Sequence, residues 1–293
     1  MFDLAERVLD GVQWQPRAEA YRQRLEDFLA PQLRRIADGD PVPKFLFSYY
    51  SLRPAQLRSW NPGFGVTLAG PEALRHYGGR RGYAVRGGQV GVAEEYLRER
   101  VDTVTFVAGL LRATAARPAQ LNCFGLHEWA MVFQGDSVRH GHEPLRLSAA
   151  DTDAVVESIP LRCTHFDAFR FFTPAAVPRN AGAPSRATQI AWEQPGCLHA
   201  NMDLYKWCYK LGPLIDSELL LACLQLAASA RELDMRASPY DLSYYGYAPI
   251  TIENAAGRAE YVRRQSEIAQ RATPLRAALL DRCDLLTEFA GCE

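Results

Sequence analysis

Residues 199–236, HANMDLYKWCYKLGPLIDSELLLACLQLAASARELDMR, decide the fold class. Apolar and aromatic positions recur there at helical spacing, so the stretch reads as two helices, about 199–211 and 217–236. A third long helix follows over about 255–289, broken at Pro274. Working back toward the N-terminus, the regular elements shorten. Residues 174–188 form a Pro- and Ala-rich loop, either a lid or an extended surface crossing, with the crossing preferred. Leu145 to Leu147 is strand-like, Gly135-Asp136 a turn, and Trp129 to Phe133 a strand or buried segment. Residues 93–116 read as one helix ended by Arg117-Pro118. Residues 78–92, GGRRGYAVRGGQVGV, read as a Gly-rich hairpin or loop, and 16–38 as an entry arm of one kinked helix or two short ones, interrupted by Pro31. There is no regular β-α alternation and no linker of low hydrophobicity. The expected fold is therefore α+β, a mainly helical single domain with a few short strands. Residues 1–40 would be an N-terminal arm, 41–261 the core and 262–293 a C-terminal helix.

At 293 residues, 48% hydrophobic and 23% charged, the chain can bury a sizeable core, which excludes disorder and a disulfide-stapled miniature fold. Lys+Arg is 33 and Asp+Glu 34, so no wholesale basic surface exists for gripping nucleic acid; duplex DNA is not favoured as a partner. Only Lys44, Lys206 and Lys210 are lysines, which makes a lysine at a polar cluster notable. Seven cysteines, an odd number with no C-x-x-C pair, read as reduced thiols in a cytoplasmic protein. The N-terminus MFDLAERVLDGVQ lacks the pattern of a signal peptide, and no run of eighteen apolar residues occurs, so no membrane partner is expected. Neither a G-x-G-x-x-G nor a G-x-x-x-x-G-K-[ST] string is present.

Three segments place a histidine and a carboxylate close together among apolar residues: FGLHEWAMV with His127 and Glu128, RCTHFDAFRFF with His165 and Asp167, and CLHANMDLYKW with His199 and Asp203. Buried imidazoles and carboxylates are costly unless paired, hydrogen-bonded or bound to metal, so the three suggest one shared site. His127, His165 and His199 with Glu128 could ligate zinc, iron or manganese, although no compact H-x-x-x-H or H-E-x-x-H spacing supports that reading. On a helix starting near Leu198, His199, Asp203, Lys206 and Lys210 fall at about 0°, 40°, −20° and 20°, one narrow polar stripe. Such a stripe faces either a polar cavity, which the surrounding aromatics favour, or bulk water, with an Asp203–Lys206 ion pair worth roughly a few tenths of a kcal/mol. Asp234, Arg236 and Tyr240 form either a helix-end charge pattern or a wall around a polar ligand. Tyr49, Tyr50 and Arg53 combine stacking faces with an anion-binding fork, again the edge of a core or a ligand contact.

The strings FLFSYYSLRPAQLRSW, CFGLHEWAMV, RCTHFDAFRFFTP, QPGCLHANMDLYKW and LDMRASPYDL resemble a group of bacterial, largely actinobacterial, proteins labelled 3-methyladenine DNA glycosylase, from about Pro43 to Tyr261. The resemblance implies hydrolysis of the N-glycosidic bond of an alkylated purine, in DNA or as a nucleoside. Asp203 or Asp167 would then supply the carboxylate that orients water or stabilises an oxocarbenium-like transition state. His199 or His165 would relay the proton, with Lys206 beside them. Tyr49, Tyr50 and Trp129 would frame the base. The alternative is a small-molecule enzyme using a divalent metal on the histidines and carboxylates; a third reading is a metabolite-binding protein without catalysis.

Overall fold

The computed structural model describes residues 7–50, 52–135 and 143–291. Among them the chain is mainly helical with one four-stranded sheet, the α+β class expected. It divides into two compact units: Met1–Gly109 with Leu204–Gln225 and Ala277–Glu293, and Leu110–Asp203 with Leu226–Arg276. No helix among the described residues is long and apolar enough to cross a membrane.

In the first unit Asp10 starts the Gly11–Ala37 helix with a capping box: its carboxylate accepts the Gln13 backbone N–H at 2.9 Å, and the Gln13 side chain accepts the Asp10 N–H at 3.1 Å. Of the two forms expected for this arm, one kinked helix or two short ones, it is one helix that runs through Pro16 and Pro31 without a break. Each proline removes one backbone hydrogen bond. Against that loss stand Trp14, Ala18, Tyr21, Leu25 and Leu29, a buried stripe at spacings of three and four. The larger of these side chains contribute about 1.5–3 kcal/mol each. The sheet is ordered β1 (Arg7–Leu9), β2 (Val66–Ala69), β4 (Gln89–Val92), β3 (Tyr83–Arg86). Strand β1 pairs parallel to β2, and the other neighbours pair antiparallel. The expected Gly-rich hairpin is β3–β4, with Arg86 opposite Gln89; its two-residue turn, Gly87 at φ 55° and Gly88 at φ 77°, needs the left-handed backbone that glycine adopts freely. The single helix expected over 93–116 is two, Glu94–Arg98 and Val101–Ala115. The first closes with a tight Arg100 N–H to Leu97 carbonyl bond, and the Arg100 guanidinium turns away to donate to the Lys210 carbonyl and lie over Tyr96.

The second unit is built from short helices, Leu126–Ala130, Ala149–Ser158, Phe166–Phe169 and Gln189–Trp192, together with parts of three longer ones, Leu198–Leu211, Ser217–Arg236 and Ala255–Gly291. Trp129 to Phe133 is buried as one alternative held, but it is helix and turn rather than strand; the Trp129 indole N–H donates to the Ala237 carbonyl at 2.8 Å. Leu145 makes an isolated bridge with Tyr240. The turn expected at Gly135-Asp136 extends outside the described residues. Residues 174–188 form a tied-down crossing. Asn180 bridges to Leu161, accepts the Cys163 N–H at 2.8 Å and donates to the Cys163 and Gly182 carbonyls.

The break expected at Pro274 is absent, because the Ala255–Gly291 helix buries Tyr261, Gln265, Ile268, Ala272, Leu279 and Cys283 along one face that continues across the proline. Near its start Gly257 has no room for a side chain: a Cβ there would stand 2.0 Å from the Thr251 carbonyl oxygen, a backbone atom that cannot swing aside. Gly257→Ala is expected to destabilise the fold by about 1–3 kcal/mol or more. Urea unfolding measures this, and an unchanged midpoint would contradict the packing described.

Candidate functional site

Five backbone segments of the second unit deliver six side chains to one place. His127 sits on the Leu126–Ala130 helix, which starts at Gly125 in the left-handed region (φ 71°), where a Cβ would press on Ala237 at 3.3 Å. His165 caps the Phe166–Phe169 helix, and Glu193 follows the Gln189–Trp192 helix. His199 and Asp203, four apart, share a face of the Leu198–Leu211 helix. Asp234 lies two residues before the end of the Ser217–Arg236 helix.

The three imidazoles meet. The rings of His127 and His199 are 4.5 Å apart and nearly perpendicular; those of His165 and His199 are 5.3 Å apart and stacked. Around them the donors fall into two sets, His127 with His199 and Asp234, and His165 with Glu193 and Asp203. In each set one ligand atom per residue lies within 4.8 Å of the others. His127, His165, Glu193, Asp203 and Asp234 are at most 6% exposed, while His199 turns an edge to a narrow crevice. That crevice, lined by His127 and His199 but by none of the carboxylates, is about 10 Å³, room for one water.

In the first set, His127 Nε2 and Asp234 Oδ1 stand 2.9 Å apart as an imidazole–carboxylate pair, and neither atom has a further hydrogen-bond partner. Their separation suits two ligands of one ion, since bonds of about 2.0–2.2 Å put neighbouring ligand atoms about 3–4.4 Å apart. The other carboxylate oxygen, Oδ2, accepts from Arg231 Nη1 at 3.0 Å, and the same Nη1 donates to Glu128 Oε1 at 2.9 Å. Burial alone would raise the Asp234 pKa, but His127 and Arg231 outweigh it and hold the carboxyl well below the usual range. Burial and the neighbouring His127 push His199 well below the ordinary histidine value, which keeps its imidazole neutral and able to ligate.

In the second set His165 Nε2 is hydrogen-bonded to Asp203 Oδ2 at 3.3 Å and lies 3.5 Å from Glu193 Oε1, and Gln189 Nε2 donates to that Glu193 oxygen at 2.5 Å. Three cysteines, Cys123, Cys163 and Cys197, line the crevice, but burial pushes all three thiols up, Cys163 to about 12. Burial thus favours the thiol form of all three while no ion is bound.

The carboxylates adjacent in sequence are not the ones that face the imidazoles. Glu128 turns to Arg231, not to the donor set, and Asp167 holds Arg170 at 3.2 Å in a partly exposed pair. His127 and His165 take their carboxylates from Asp234, Asp203 and Glu193 instead. Glu193 and Arg231 carried no sequence signal of their own beyond lying in apolar surroundings. Of Asp234, Arg236 and Tyr240, only Asp234 enters the donor sets; Arg236 donates to the Ala248 carbonyl at 2.9 Å, and Tyr240 is packed at 1% exposure. Trp129 is wholly enclosed with Arg146 5.5 Å over its ring. The polar stripe divides, because Lys206 belongs to the first unit, nearly buried with Nζ 4.6 Å over the Trp207 ring, and Lys210 is exposed. Tyr49, Tyr50 and Arg53 also belong to the first unit: Tyr50 is buried edge-on to Tyr205, Tyr49 stacks on Phe45 at 4.7 Å, and Arg53 is exposed before the Pro54–Leu57 helix. No family model, curated protein or solved structure matches the chain, and the site is read from its own geometry.

Proposed function

We propose that this chain is a metal-dependent enzyme in which His127, His199 and Asp234 hold a divalent cation that activates water for hydrolysis of a small polar molecule. The observation that carries the reading is the facing pair of buried atoms, His127 Nε2 and Asp234 Oδ1, 2.9 Å apart, with the His199 imidazole beside them. Two imidazoles and one carboxylate are the ligands of many catalytic zinc and iron centres, and three protein ligands leave positions for water and substrate. Metal coordination lowers the pKa of bound water and polarises a substrate oxygen. Glu128 and Arg231 orient the carboxylate from behind, as partners of ligating groups do elsewhere.

Hydrolysis of a purine N-glycosidic bond stays within this chemistry, but the purine itself gains little support. Trp129 and Tyr50, which would frame a base, are spent in packing. The test is elemental analysis of the full chain purified without added metal. We expect about one equivalent or more of zinc, iron or manganese. Less than about a tenth of an equivalent, with none taken up on dialysis against each ion in turn, would sink the proposal.

A further inference from the structure

The second donor set asks for its own explanation. His165, Glu193 and Asp203 come from three separate segments, are at most 3% exposed, and bring one nitrogen and two carboxylate oxygens within 4.8 Å. We infer that they form a second divalent-cation site, adjacent to the one at His127, His199 and Asp234, so that the working centre holds two ions.

Two observations carry this. The first is the donor chemistry. One imidazole and two carboxylates are a hard-to-borderline set suited to Mn²⁺, Fe²⁺ or Zn²⁺, and a dication between two buried carboxylates turns their mutual repulsion into attraction to a common centre. The second is adjacency. The His199 ring contacts both the His127 ring of one set and the His165 ring of the other, at 4.5 and 5.3 Å, so the two sets lie side by side. Gln189, itself 2% exposed, donates to Glu193 Oε1 and fixes how that carboxylate presents its oxygens, much as Arg231 does for Asp234. The pairing of His199 and Asp203 has the same sense: four apart on one helix, they go to different sets and tie the two together. A two-ion centre clamps oxygens on both sides of the bond being broken, which points to a substrate rich in oxygen ligands, such as a phosphate ester or a carboxylate, rather than a bare heterocycle.

The inference builds on the proposed function but is separable from it. The probe is Mn²⁺ added to the chelator-treated full chain, with bound ion counted after gel filtration. Wild type, Glu193→Gln, Asp203→Asn and Asp234→Asn are compared, each checked for folding by circular dichroism. Two equivalents for wild type, falling to about one in Glu193→Gln or Asp203→Asn, is the expected result. One equivalent for wild type, lost in Asp234→Asn but untouched by Glu193→Gln and Asp203→Asn, overturns the second site and leaves the first. One equivalent lost in Glu193→Gln but kept in Asp234→Asn places a single ion at His165, Glu193 and Asp203 and overturns both the first site and the paired centre; none in wild type overturns both sites. Electron paramagnetic resonance of the loaded wild type needs no variant. Neighbouring Mn²⁺ ions give a spin-coupled spectrum, whereas an isolated-ion six-line pattern at full loading counts against a paired centre.

Discussion

Arg231→Met, measured with chelator present, lowers the folding free energy by about 3–5 kcal/mol, because it strips the buried carboxylates of Glu128 and Asp234 of the cation between them. The methionine restores most of the volume, so the loss reads the charge and not a cavity. A double variant, Arg231→Met with Glu128→Gln, removes one of the stranded charges and recovers part of the stability. Adding the divalent ion back narrows the gap for the single variant, since a cation at Asp234 again faces its carboxylate. Equal stability of Arg231→Met and wild type in chelator would mean that the guanidinium is not what offsets the burial of these carboxylates.

Removal of bound metal has an effect of similar size on the wild type. An ion held at a thousandfold excess over its dissociation constant stabilises the folded state by about 4 kcal/mol. For a chain of this length that shifts the melting temperature by roughly 8–16 °C, taking about 2–4 °C per kcal/mol. Differential scanning calorimetry with and without chelator measures the shift. His127→Ala should melt at nearly the same temperature in both conditions if the first set is the dominant site. A wild-type melt indifferent to chelator would remove the thermodynamic basis of the metal reading.

The helices of the last third were legible from their periodicity, and Ser217–Arg236 ends where its pattern does. Proline misled at Pro274, since one missing N–H is a local fact while the buried stripe running through that helix is set by tertiary packing. The three histidines were visible as three unusual segments. Their partners were not, for a geometric reason. Consecutive helical residues point about 100° apart, so His127 and Glu128 cannot share a face, whereas His199 and Asp203 at a spacing of four do. Arg231 meets Glu128 across 103 positions, a distance over which no pattern in a single chain reports contact. Glu193 sits at the end of a four-residue helix, too short to show a period.

The interleaving of the two units along the chain bears on how the site is born. Residues 277–291 complete the unit that begins near the N-terminus, and residues 226–276 complete the unit that holds the imidazoles. On the ribosome, His127, His165, Glu193, His199 and Asp203 emerge before Asp234, so five of the six donors are in the nascent chain while the last is still being made. Neither unit can close as its own segment leaves the exit tunnel. An ion held by His127, His199 and Asp234 would therefore be captured only after Asp234 is made, later in synthesis than the appearance of the other five donors.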